Sequence, residues 1–482
     1  VSEITPISPK FELQVLSAEQ LEEVREASLF VLEEVGVRFP SAQALEVFAA
    51  HGARIDEKSQ VVRIPAGMVA DAVRRAPRTY PLSGREAGTE LLLDGSRSYF
   101  TTDGSGVRTI DLETGTSRAS CKADVAMMAR VADSLSAVAF YWPMVSAQDY
   151  GALAPLHELE ASFNNTVKHV QSVTAVDVAL ARDAVRMAEV IAGSRERLRQ
   201  APPLSALICS IAPLCHDREG IEAALVYAKA GVPVGLMSMP CLGSTAPASV
   251  GGALVQATAE ILSGLVLIQL VAPGAPVFYS IVSSVMHPRT AEYINAIPEK
   301  FLVHCAAVQI GHDWGVPVLA GGFGAPGEGP PGWRYGRDSV YTALLTALAG
   351  ADMVVGLGLR GASTLLAFEQ IILDEEIYHI NRALAGGVNL GVDGEALDAI
   401  RAVGPGGHFL SQDHTRRKVR EIWIPSLSHH GPVEGSEASS TAAWLAREQL
   451  LRILREHAPA PLERSKQDAL KAIIEAAARA RA

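Results

Sequence analysis

From about residue 135 onward, apolar runs of strand length alternate with segments whose apolar positions repeat at the helical period. The runs are SAVAFYW (136–142), LSALICSI (204–211), VPVGLMSM (232–239), APVFYSIV (275–282), VPVLAGG (316–322) and ADMVVGLGL (351–359). Residues 219–230, 249–270, 298–312 and 338–349 carry the helical period between them. Near-continuous apolar strands divided by helices require a parallel sheet covered on both faces. No dinucleotide fingerprint follows any early strand, so the pattern predicts an α/β fold of the (β/α)8 barrel type rather than a doubly wound sheet.

The ends of the chain read differently. Ser17 and Gln20 form a capping-box pair ahead of Leu21, Val24, Ser28, Val31 and Val35, and Gly36 closes that helix. A short helix follows over about 41–51. TYPLS, ELLLD, RSYFTT and VRTIDL, between 79 and 112, are short strands separated by Gly, Asp and Ser turns, which predicts a meander of hairpins. The tail is rich in Ala, Glu and Arg. The expected organisation is an N-terminal helical arm with a small antiparallel β extension (1–120), the barrel (121–435) and a C-terminal helical tail (436–482). The tail packs outside or makes a subunit contact, which leaves a homo-oligomer open.

Composition narrows the function. Hydrophobic residues make up 48 % and charged residues 20 %, enough for a sizeable core and not a disordered chain. Lys and Arg number 42 against 53 Asp and Glu, a net charge of −11, so no broad nucleic-acid-binding surface is expected. Cys121, Cys209, Cys215, Cys241 and Cys305 are scattered without a C-x-x-C, as isolated thiols in a reducing compartment are. The first residues carry neither a basic run nor an apolar core, and 247–272 holds Gln256, Glu260 and Gln269, a buried helix rather than a membrane span. The expectation is a cytoplasmic protein with no membrane partner.

In such a barrel the chemistry sits at the C-terminal ends of the strands, where SMPCLGSTAP, SIVSSVMHP, GGFGAPGEGPPGWRYGR and GLGLRGAST concentrate Gly, Pro and small polar residues. No P-loop Lys-Ser/Thr, G-x-S-x-G or H-E-x-x-H pattern is present. Carboxylate candidates are Asp103, Glu158 and Glu369, and acid/base candidates His157 and His408. Cys215–His216 and His304–Cys305 could ligate zinc by residue type, yet adjacent side chains diverge, so no bound metal is expected. Trp333, Arg334, Tyr335 and Arg337 crowd one loop before a helix. Aromatics there could cage a quaternary ammonium through cation–π attraction, and arginines could grip a carboxylate; a lid that only packs its Trp is the plainer alternative.

Several stretches resemble the trimethylamine methyltransferase family of corrinoid-dependent amine methyltransferases: LEEVGVRFP (32–40), residues 64–86, TTDGSGVRTIDLETG (101–115), LHELEASFNNTVKH (156–169) and VGPGGHFLSQDHT (403–415). The resemblance implies a (β/α)8 barrel that passes a methyl group from a methylated amine to the Co(I) cobalamin of a separate corrinoid protein. The trimethylamine enzymes carry pyrrolysine in the loop where matching Gly336 places Trp333. No pyrrolysine stands here, so the chain is similar to the branch that includes glycine betaine methyltransferases. Arg360-Gly361-Ala362 replaces a Leu-Glu-Ser common in the family, whereas Phe368-Glu369-Gln370 is kept.

The implied roles are a cage of Trp333, Tyr335 and Phe368, a carboxylate grip by Arg334 or Arg360, and catalytic positions at Glu369 and His408. Gly404, Gly406, Gly407 and His408 would receive the corrinoid. A quaternary ammonium suits such a site, because losing a methyl to Co(I) leaves a neutral amine and needs no general acid. Two alternatives are a zinc-dependent methyltransferase of related barrel type and a non-catalytic betaine-binding protein.

Overall fold

The computed structural model describes residues 3–294, 297–322, 327, 329, 332–388, 390, 394–427 and 442–481, with the side chains of Trp333 and Arg334 not among them. Eight strands form its centre: β1 (Tyr99–Thr102), β2 (Phe140–Tyr141), β3 (His169–Ser172), β4 (Leu204–Ile211), β5 (Val234–Ser238), β6 (Val277–Ile281), β7 (Val318–Gly321) and β8 (Met353–Leu357). Each pairs in parallel with the next. Met353 and Val354 of β8 then register with Tyr99 and Phe100 of β1, which closes the ring. Helices outside the ring, from Lys122–Ser134 to Gln370–Ala385, connect and cover the strands. This is the (β/α)8 barrel that the alternating pattern predicts.

Two strands escape the apolar-run criterion. β1 is the RSYFTT run, so the barrel begins at Tyr99, inside the segment that local texture groups with the N-terminal extension. β3 is short and polar: His169 and Gln171 are fully buried, and both reach the Ser205 hydroxyl of β4, at 2.8 and 3.3 Å. A buried strand can be polar where its neighbour supplies partners.

The expected meander is divided among three places. Tyr80–Leu82 and Leu91–Leu93 form a hairpin whose apolar side chains join Tyr99, Phe140, Phe278 and Met353 in a cluster inside the barrel, and Tyr80 Oη donates to the Val277 carbonyl at 2.9 Å. Tyr99–Thr102 enters the barrel itself. Arg108–Ile110 and Ser117–Ala119 pair with each other, and the former also pairs with Leu365–Leu366 beyond β8.

At the N-terminus the Ser17/Gln20 capping box forms, and the helix runs Ala18–Phe30 with a π turn over Val31–Val35. Gly36 ends it at φ 84°, where a Cβ would lie 2.7 Å from the Val62 carbonyl oxygen. Helix Val250–Val271 is long and apolar enough to cross a membrane, but it is largely buried among its neighbours as a core helix. The tail forms helices Ala442–Glu456 and Arg464–Arg481, which bury Leu450, Leu470 and Ile474 on the barrel's outer layer. The expected boundary at 435/436 falls outside the described residues.

Candidate active site

The strands end around a cavity of about 320 Å³ at the C-terminal face, and residues on or just after all eight strands line it. Side chains there are mostly apolar, among them Leu207, Met237 and Val355, with a few polar groups aimed inward. That combination is the usual form of a small-molecule site.

Trp142 follows β2 directly. It is buried, and its indole N–H has no hydrogen-bond partner. Gly104 packs against the ring so closely that a Cβ there would stand 2.4 Å from Nε1. Tyr293, on the short strand Tyr293–Ile294 laid across the mouth, brings a second ring to the cavity wall.

Two opposite charges share this wall. Asp103 follows β1, accepting from its neighbour's backbone N–H (Gly104, 2.9 Å) and from Ser363 Oγ (2.5 Å). Burial nevertheless pushes its pKa up to about 6, outweighing those bonds and the nearby Lys300. Lys300, in the first turn of helix Pro298–Asp313, is buried and is lowered to about 8 by the same desolvation, against the pull of Asp103 and Asp338. Ser363 reaches Asp103 through a strained turn: Ala362 and Ser363 both have left-handed φ, 52° and 68°. This turn is part of the segment that departs from the family's Leu-Glu-Ser. Cys209 also lines the cavity, and desolvation there raises its thiol to about 11.

Beside the cavity lies a second buried cluster. Asp374 accepts from the Tyr335 hydroxyl, from Gly358 N at 2.7 Å and from Gln370 Nε2 at 3.1 Å. Burial raises Asp374 to about 7 and holds the Tyr335 phenol well above its ordinary value. Arg360 donates to Gln370 Oε1 at 2.7 Å and pairs with Glu369 Oε1 at 3.3 Å. Thus Tyr335, Arg360 and Glu369 do come together, as a brace between the loop-bearing helix and the end of β8, and none of them lines the cavity. Phe368 is 1 % exposed and packs in the core between strands and helices, outside the lining of this cavity. The side chains of Trp333 and Arg334 lie outside the described residues.

The remaining candidates are placed elsewhere. Gly404, Gly406, Gly407 and His408 sit in an exposed turn between helices Gly394–Val403 and Asp413–Lys418, away from the cavity lining. Glu158 is buried and holds Ala147 N (3.1 Å) and Thr174 Oγ1 (2.5 Å), tying together the loops after β2 and β3. His157 stacks on Tyr150 at 3.5 Å, and burial, then the adjacent Lys122, lowers it to about 4. His216 bonds Ser263 Oγ at 2.8 Å, and His304 Nε2 accepts from Ser283 N at 3.1 Å. Among the described residues, no three His, Cys, Asp or Glu side chains converge as a metal site.

Of the polar groups at the cavity, sequence reading singles out Asp103 and misses Lys300, Trp142 and Tyr293. Trp142 had a visible signal: it is one of 5 tryptophans and closes a strand-like run. Lys300 stands beside Glu299 in the first turn of a covering helix, the end that follows a strand, which points to a strand end nearby.

A model of the trimethylamine methyltransferase family matches residues 3–481. The chain belongs to that family. It is a methyltransferase, and its relatives share its length. The trimethylamine methyltransferase MttB of Desulfitobacterium hafniense is 31 % identical over 471 residues, covering 96 % of this chain and 94 % of the relative. A protein named glycine betaine methyltransferase from another strain of that species is 30 % identical over 454 residues, covering 93 % and 91 %. The solved monomethylamine methyltransferase of Methanosarcina barkeri aligns over 94 % of this chain and 92 % of its own, with 11 % identity and a TM-score of 0.48.

Proposed function

We propose that this family member takes a methyl group from a small quaternary amine of the glycine betaine type and delivers it to the Co(I) cobalamin of a separate corrinoid protein. The observation that carries the reading is the cavity itself, two aromatic rings and two opposed buried charges in an apolar pocket at the barrel mouth. Trp142 and Tyr293 supply π faces for a cation. Asp103 adds negative charge on the same wall, and Lys300 supplies the positive charge that a carboxylate at the substrate's other end requires. The names of the two Desulfitobacterium relatives support a methylated amine as donor.

Chemistry favours the quaternary class. Breaking its N–CH3 bond leaves a neutral tertiary amine, so the cavity needs no proton donor. The chain's task is to hold the methyl toward the mouth, exclude water and orient the bond. Aromatics attract the ground-state cation as well, so their removal acts first on affinity. Ser105, Gly356 and Ala362 line the cavity with little side-chain bulk, so a flat macrocycle brought to the mouth would meet few obstructing side chains there. Cobalamin in its Co(I) state supplies the nucleophile when the partner protein brings it. The brace of Tyr335, Asp374 and Arg360 then acts by fixing the start of the helix that carries Trp333 and Arg334.

The test is anaerobic incubation of the chain with Co(I) cobalamin and a panel of betaines and sulfonium compounds, following loss of the Co(I) spectrum. Turnover of a betaine that drops about tenfold or more in kcat/KM in Trp142→Ala supports the reading. Calorimetric binding of a betaine with no consumption of Co(I) by any compound would instead indicate a binding protein.

A further inference from the structure

A second hollow lies outside the barrel, where the C-terminal tail crosses the covering helices Lys122–Ser134 and Ala154–Asn165. It encloses about 480 Å³, against about 320 Å³ for the cavity at the mouth, and the two share no lining residue. Its walls follow from helical spacing. Lys122, Ala126 and Arg130 stand four residues apart and share one face of the first helix. Ala161 and Asn165 do the same on the second, as do Gln467 and Lys471 on the tail helix Arg464–Arg481. Ala126, between the two cations of its face, leaves room for a ligand. The last wall is the segment that joins the tail helices, and it is pinned. His457 Nε2 meets Asp133 at 2.8 Å, Arg85 donates to the Ala460 carbonyl, and Gln467 Nε2 donates to the Leu462 carbonyl at 2.7 Å. Pro459, Pro461 and Leu462 thereby present a fixed apolar edge.

Charge in this hollow runs against the whole molecule. The chain carries −11, whereas the described lining residues hold Lys122, Arg130 and Lys471 against the single carboxylate of Glu160, a net charge of +2. Lys122 is already engaged: its Nζ lies 2.6 Å from Glu160 Oε2 and 2.9 Å from His157 Nδ1. That pair cancels. Arg130 is different, because its Nε is buried and has no hydrogen-bond partner. A guanidinium N–H shut away from water without an acceptor is costly, and such a group calls for a ligand or an ion. Lys471 brings a second charge from the facing tail helix. Asn165 gives one amide N–H to the Ala161 carbonyl at 2.8 Å and has another to donate.

We infer that this hollow binds a phosphate group, either as inorganic phosphate or as the end of a small phosphomonoester. Two uncancelled cations match a dianion, and a monocarboxylate would leave one of them uncompensated. The flat fork of Arg130 suits a tetrahedral oxyanion, and Lys471 adds a point charge from the opposite wall. Glu160 is held by Lys122, so it does not repel the ligand with a full charge. The hollow is larger than a bare phosphate requires, which leaves the body of an ester to lie against Pro459, Pro461 and Leu462. Since the contributing residues come from two covering helices and the tail, the bound anion ties the tail to the barrel. A ligand held only by this assembled arrangement raises the stability of the folded chain.

Isothermal titration calorimetry on the full chain tests this, with inorganic phosphate and with glycerol phosphate as the two probes. Ionic strength is held constant, because a diffuse attraction is screened by salt whereas a built site is not. One saturable site is expected, with a dissociation constant of about 1 mM or below, and Tm should rise as it fills. Arg130→Gln and Lys471→Gln should each weaken binding by about tenfold or more. Arg479→Gln removes an exposed cation of the same tail helix outside the hollow and should leave binding unchanged. Tighter binding of the ester identifies a phosphomonoester as the ligand, and equal binding identifies free phosphate. No saturable heat with either probe overturns the inference, and so do folded Arg130→Gln and Lys471→Gln chains that both bind as the wild type does. Neither readout involves methyl transfer, so the outcome is independent of the catalytic reading.

Discussion

Asp103 shows how a single buried group ties pH to ligand binding. Its pKa is raised to about 6 by burial, so the cavity carries this negative charge above that pH and loses it below. A bound cation favours the ionised form, lowering the pKa and releasing a proton. Affinity for a quaternary amine should therefore weaken as pH falls through 6, by up to about tenfold per unit at the one-proton limit. Asp103→Asn should bind more weakly at pH 8 and show a flat profile; the same profile in both proteins would remove Asp103 from the site. The sign for stability is opposite. A raised carboxyl pKa means that the fold is disfavoured as pH rises from the ordinary carboxylate range through 6, so Asp103→Asn should raise Tm at pH 8 and change it little near pH 3, below both values. Beside it, Gly104→Ala must move both the Trp142 indole and the Pro143 carbonyl, since the added carbon would stand 2.4 Å from Nε1 and 2.5 Å from that oxygen. It should lower Tm and also cost about a hundredfold in kcat/KM; unaltered kinetics in a folded variant would show that Trp142 does not touch substrate.

At the scale of elements, what the sequence made legible follows from what periodicity can detect. The strand at 204–211 and the helices at 219–230 and 298–312 were readable because their apolar positions are uninterrupted, and they form at Leu204–Ile211, Arg218–Ala230 and Pro298–Asp313. β3 was not, because His169 and Gln171 are satisfied by Ser205, a residue that only the fold brings close. The cage expected from Trp333, Tyr335 and Phe368 joined two neighbours of one loop to a residue taken from the family resemblance, whereas burial directs Phe368 into the core and Tyr335 onto Asp374. Helix Val250–Val271 gives the counterpart, a carboxylate hidden in a hydrophobic run. Glu260 is fully buried and accepts from Ser210 Oγ (2.6 Å), Ser238 Oγ (2.8 Å), Leu214 N (2.8 Å) and Gln256 Nε2 (3.0 Å). It fastens the ends of β4 and β5, just below Met237 and Met239 of the cavity wall. Glu260→Ala strands Leu214 N and Ser238 Oγ, while Ser210 Oγ and Gln256 Nε2 keep the Met237 and Thr245 carbonyls, and it should destabilise by about 2–4 kcal/mol in urea unfolding; a loss under 1 kcal/mol would show that water replaces the carboxylate.

At the scale of the molecule, long-range pairs tie the three expected regions to one another. The N-terminal segment supplies β1 and the hairpin inside the barrel. The tail is bound through Asp133: one of its oxygens takes Thr166 Oγ1 at 2.8 Å and Val167 N at 2.7 Å, within the barrel layer, and the other meets His457 Nε2 at 2.8 Å. Arg85, beyond the first hairpin strand, donates to the Ala460 carbonyl, and Arg481 donates to the Ala152 carbonyl at 2.9 Å. Helix Arg464–Arg481 alone could not hold its place by propensity, because its stability comes from burying Leu470 and Ile474 against the covering helices. A charge placed under that helix is therefore a load on the whole barrel. Ile474→Asp should lower stability by about 2–4 kcal/mol while far-ultraviolet dichroism and tryptophan fluorescence still melt together. If the tail instead folded as a separate unit, the variant would lose a fraction of its helical signal at low temperature and leave the main transition, and methyl transfer, where they were.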